Sequence, residues 1–79
     1  MEMYTIIFFY SDGSTEMHEA GSITSVMAIE AGVLESCYEF AMRFPNVIRK
    51  CYLTGMVIIN NKRHDVIENK TYVKKGDIQ

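Results

Sequence analysis

The residue pattern predicts an α+β domain: one helix packed on one face of a mostly antiparallel sheet, in the order β-β-α-β-β with further short β. Three observations carry this. Residues 22–44 repeat apolar side chains at helical spacing. Residues 3–10 are β-prone and nearly all apolar, and a Ser11-Asp12-Gly13-Ser14 turn follows them. After Pro45 the chain divides into short β-prone runs separated by polar turns.

In the first run, Tyr4, Ile6, Phe8 and Tyr10 face one way and Thr5, Ile7 and Phe9 the other. Both faces are apolar, which suits a central strand. Gly13 accepts a positive φ in the turn, and Asp12 can bond its own following backbone. Thr15 to Ala20 returns as a more polar strand, expected at a sheet edge. His18 lies on it beside Glu16 and Glu19, and a lone His on a polar strand reads as solvated.

The helix is predicted over Ser22 to Phe44. Ser22 is the expected N-cap, with Thr24 or Ser25 as later starts. Pro45 ends the helix and disfavours helical geometry at Phe44. Winding at about 100° per residue gathers Val26, Ile29, Val33, Leu34, Cys37, Phe40, Ala41 and Phe44 on one side. Glu30 projects near the middle of this apolar side. Either it reaches solvent or a strand-end donor, or it is a pocketed carboxylate with a raised pKa. Ala28, Gly32 and Ser36 form a track of small residues on the outer face, where a backbone could approach closely.

Val47 to Leu53 reads as a third strand. Met56 to Asn60 is a fourth, or continues the third through a bulge at Gly55. Asn60-Asn61-Lys62 reads as a turn, Arg63 to Glu68 as a fifth strand and Asn69-Lys70 as another turn, with brief pairing at Thr71 to Val73. Residues 1–73 make one domain, and 74–79 are expected to fray.

The 79 residues contain no apolar run long enough for a membrane span. No signal-peptide pattern opens the chain, so a cytoplasmic setting with reduced cysteines is expected. Cys37 and Cys51 read as small core residues. The charge is lopsided although the net is only −2. Residues 1–42 carry seven acids and no Lys or Arg, and all eight Lys and Arg lie at or after Arg43. Such asymmetry suggests interaction surfaces of opposite sign, or two halves that pair their charges.

Signatures of catalysis are missing. The five glycines are scattered, so there is no phosphate loop. His18, Cys37, Cys51 and His64 lack close metal-ligand spacing. Cys51 and His64 could meet on neighbouring strands as a nucleophile pair, but Cys51 reads as buried and inert. Glu16, Glu19, Glu30 and Asp65 offer carboxylates without a fixed pair. No enzyme activity, cofactor or metal is expected.

The opening Met3–Tyr10 strand, the Ser11–Ser14 turn, the Ser22–Phe44 helix and the following strands give a short acidic chain of a known layout. It resembles the small inhibitor proteins encoded by phages, including those of the anti-CRISPR type. That resemblance implies a non-catalytic protein that binds and blocks one host protein or nucleoprotein complex, sometimes with acidic residues standing in for phosphates. From the residues themselves, the candidate partner-binding set is Asp12, Glu16 and Glu19 on the first hairpin with Glu35 and Glu39 on the outer helix face. The alternative is nucleic-acid binding through Arg49, Lys50, Lys62, Arg63 and Lys70, with Tyr52 and Tyr72 interleaved. A homodimer is also expected, through a sheet edge or uncovered sheet face in preference to the small-residue track.

Overall fold

The computed structural model describes residues 2–43 and 53–72, and the side chains of all of these except 38–43. The elements are β1 (Tyr4–Tyr10), β2 (Thr15–Ala20), α1 (Ile23–Arg43), β3 (Leu53–Asn60) and β4 (Asp65–Thr71). The four strands form one antiparallel sheet in the order β2-β1-β3-β4. The fold is therefore α+β, with β1 central and β2 at an edge. Among the described residues no helix is long and apolar enough to cross a membrane.

The β1–β2 hairpin closes as its turn residues dictate. Gly13 adopts a φ of 88°, in the left-handed region that glycine reaches without strain. Asp12 Oδ1 accepts the Ser14 N–H at 2.9 Å, and the Gly13 N–H donates to the Tyr10 carbonyl at 3.0 Å. Register then follows: Phe8 stands opposite Glu16, and Ile6 opposite His18. The β3–β4 turn is built on buried Asn60. Its Oδ1 accepts the N–H groups of Lys62 and Arg63 at 3.0 and 3.1 Å.

Ser22 caps α1, its Oγ accepting the Ser25 N–H at 3.1 Å. The helix lies on the sheet face that carries Tyr4, Ile6 and Phe8. Val26 is buried there among these three, Ala20, Leu53, Met56 and Ile58, and Ile29, Val33 and Cys37 pack against the cluster. Leu34, expected on the same stripe, is exposed, because it lies on the far side of the Glu30 flank. Phe40, Ala41, Phe44, Pro45 and the Val47–Tyr52 part of the expected third strand fall outside the described side chains or residues.

Of the two readings around Gly55, continuation of the third strand through a bulge holds, and the turn expected at Asn69-Lys70 is corrected. β3 runs unbroken through Thr54-Gly55, so these residues are not a hairpin turn. The extra residue sits opposite the Phe9/Tyr10 step as a bulge. Thr54 is satisfied there: its Oγ1 donates to the Phe9 carbonyl at 3.0 Å, and its own carbonyl accepts the Tyr72 N–H at 2.9 Å. Asn69-Lys70 is not a turn either. Both residues lie within β4, paired with Val57 and Met56. Sheet pairing overrides their local turn preference.

Glu30 ties the helix to β4. Its carboxylate accepts from Lys70 Nζ at 3.0 Å and from the Tyr72 hydroxyl. Burial alone would raise its pKa, but the Tyr72 and Lys70 bonds outweigh this and hold it below the usual carboxylate value. The expectation of a strand-end donor fits this pairing, and a raised pKa does not.

Candidate functional site

The two sheet faces offer different surfaces. On the helix side an open cleft of about 460 Å³ lies between α1 and the first hairpin. Its helix wall is Ile29, Gly32, Val33, Ser36 and Cys37, the i, i+3, i+4, i+7, i+8 positions of one face. Its sheet wall is Tyr10, Glu16 and His18. The cleft exists because the helix wall is small where it faces β2. A β-carbon built on Gly32 would meet nothing within 4 Å. Gly32 and Ser36, expected on an outward track with Ala28, thus stand at the lip of a cleft.

The polar end of the cleft is a linked cluster. Glu16 Oε1 accepts the Tyr10 hydroxyl at 2.9 Å, and Oε2 contacts His18 Nε2. The His18 contact, followed by the Tyr10 bond, holds the Glu16 carboxyl below its ordinary pKa, so it is charged at neutral pH. The His18 ring also meets Phe8 edge-on, with centroids 5.6 Å apart. His18 is thus a half-buried, partnered residue on the helix side, and the solvated reading is corrected. A carboxylate has about four lone-pair sites, and two protein partners leave room for more.

Among the described residues nothing covers the opposite face. Strand alternation places Thr5, Ile7 and Phe9 of β1, Thr15, Met17 and Glu19 of β2, and Val57 and Ile59 of β3 on it. Val66 of β4 stands beside Ile59. Phe9 is 37% exposed, Val66 61% and Met17 64%. Among the described elements, the helix packs only on the other side.

The acidic candidates do not form one patch. Glu16 and Glu19 lie on opposite faces of β2, because an odd separation on a strand reverses the side chain. Asp12 is exposed in the hairpin turn, and Glu35 is exposed on α1. The Glu39 side chain is outside the described set. Of the basic candidates, Lys62 and Arg63 are exposed in the β3–β4 turn, and Lys70 is paired to Glu30 and Glu68 on the helix side. Tyr72 is also on that side, bonded to Glu30. Arg49, Lys50, Cys51 and Tyr52 lie outside the described residues. His64 stands in the β3–β4 turn with a φ of 59°, not on a strand. Among the described residues no three His, Cys, Asp or Glu side chains gather at metal-binding distance.

The cleft and the open face were each partly legible. Strand alternation and the hairpin turn fix which residues share a face with Glu16. They do not say which face the helix takes. No protein-family model, curated protein or solved structure matches this chain.

Proposed function

We propose that this chain is a non-catalytic protein-interaction module and that a partner protein docks on the open face of the sheet. The observation that carries this is the run of Ile7, Phe9, Val57 and Ile59 across the two central strands, continued by Met17 and Val66 at the edges. A solvated sheet face is normally polar, so an apolar one marks a contact surface. Four strands about 4.8 Å apart and about 20 Å long make a face of roughly 400 Å². A stable interface needs about 800 Å² per partner, so the partner also reaches the rim. Glu19 lies on this face, and Asp12 projects from the turn at one end. The fitting partner has an apolar centre with basic groups around it, and those charges speed the encounter. An inhibitor of a host protein or nucleoprotein complex is the form of this role that the resemblance to phage inhibitors implies.

The test replaces Met17 and Val66 together with Lys. Both are well exposed, so folding stability should change by no more than about 0.5 kcal/mol each. Capture of the partner from host lysate should be lost, and capture unchanged by the double variant overturns the reading. Light scattering on the purified chain gives the second arm. A doubled mass that the same variant abolishes identifies the occupant as a second copy.

A further inference from the structure

The cleft on the helix side plays no part in that docking reading, and its chemistry is distinct. Among the described residues its lining comes from residues 10–37, a stretch containing no Lys or Arg. Its walls are the apolar side chains of Ile29 and Val33 and the ring of Tyr10, and its polar end is the Glu16 carboxylate. Tyr10 fixes that carboxylate from one oxygen and His18 from the other. Its volume of about 460 Å³ falls within the range of small-molecule pockets. An anionic group with unused acceptor sites at the end of an apolar trough selects a cation on an apolar body.

We propose that the cleft is a binding site for a small organic cation: a guanidinium or ammonium group carried on an aliphatic chain. The cationic head takes the free lone pairs of Glu16, and the chain lies along Ile29 and Val33. Gly32 keeps the entrance open, because any side chain there would project into the space the ligand enters. The site is independent of partner docking, since it opens on the opposite side of the sheet.

The experiment is an NMR titration of the intact chain with hexylguanidinium, following backbone amide shifts. Hexanoate and hexanol serve as the anionic and neutral comparisons. Saturable shifts should centre on Tyr10, Gly32, Val33 and Ser36, with a Kd on the order of 1 mM for a ligand of about ten heavy atoms. Glu16→Gln should weaken binding about tenfold. Glu19→Gln makes the same change of net charge on the other face of β2 and should leave binding unaltered. Gly32→Phe fills the entrance and should abolish binding, which keeps the test decisive if Glu16→Gln does not fold. Equal response to hexanoate or hexanol, or unchanged binding in either cleft variant, overturns the proposal. Binding of a guanidinium only when arginine is held in a capped tripeptide also overturns it, and makes the cleft a receptor for a partner's side chain.

Discussion

Phe8 and Phe9 are neighbours in β1 and meet opposite environments. Phe8 is fully buried under the helix, against Ile6, Val26 and Met56. Phe9 is 37% exposed and covers Gly55 on the open face, its ring 3.8 Å from where a β-carbon would stand. The same residue type thus serves folding on one face and is left available on the other. The contrast shows that an apolar strand can be covered by the helix on one face and left partly exposed on the other. The buried cluster lies on the helix side of the sheet, and among the described residues nothing covers the second face. The sharpest way to break this comparison is to truncate each ring. Phe8→Ala should cost about 3–5 kcal/mol, a large share of the stability of a domain this small. Phe9→Ala should cost about 1 kcal/mol, because much of its ring stays in contact with water. Urea unfolding of both variants measures the difference. Equal losses would mean that the open face is part of the core.

The covered face is sharpened next by the Glu30 tether. Glu30 has a side-chain exposure of 14% and is held by Lys70 and Tyr72. Glu30→Ala should cost about 1–3 kcal/mol, since the Tyr72 hydroxyl and the Lys70 ammonium lose a charged acceptor. The pH dependence follows from the sign of the shift. The Glu30 carboxyl is depressed below 4.5 in the fold. Its contribution is therefore present above pH 4.5 and is lost as pH falls through the folded value. Glu16 shifts in the same direction and adds to the loss. Thermal melts from pH 6 down to pH 3 should show falling stability, with a shallower fall in Glu30→Gln. A slope that the variant leaves unchanged would assign the acid sensitivity to other carboxylates.

The two faces also differ in how far the sequence discloses them. The hairpin and the helix were legible because their signals are local: Gly13 and Asp12 at the turn, Ser22 at the cap, and continuous apolar periodicity between. The β3–β4 half was less so. Thr54-Gly55 could be a turn or a bulge, and only the pairing of Leu53 with Tyr10 decides it. Asn69-Lys70 has the composition of a turn, yet Lys70 is drawn to Glu30, a residue 40 positions away. The candidate sites show the same limit. Seven acids without a base in residues 1–42 were visible as a tally. Their odd spacing already puts Glu16 and Glu19 on opposite faces of β2, but which of the two faces the helix covers was not legible. Gly32 and Ser36 were visible as small residues, but the space they leave is defined by a strand they do not adjoin in sequence.

The smallest effect gives the finest comparison, because the same glycine-to-alanine change, made at two positions, tests both sides of the sheet. Gly32 stands in the helix at the lip of the cleft, where an added β-carbon meets open space. Gly32→Ala should stabilise the fold by about 0.5–1 kcal/mol, through helix propensity and a less flexible unfolded chain. Gly55 lies beside the β3 bulge on the open face, where an added β-carbon would stand 3.1 Å from the Lys70 carbonyl oxygen. That atom belongs to the backbone of β4 and can give only if the strand moves. Gly55→Ala should therefore destabilise by about 1 kcal/mol, by crowding the β3–β4 ladder. Opposite signs in urea unfolding of the two variants would place the unfilled space beside the helix and the tight packing between the strands. If Gly32→Ala destabilised instead, the gap at the cleft would have to be closed in solution, and the ligand site inferred there would be lost with it.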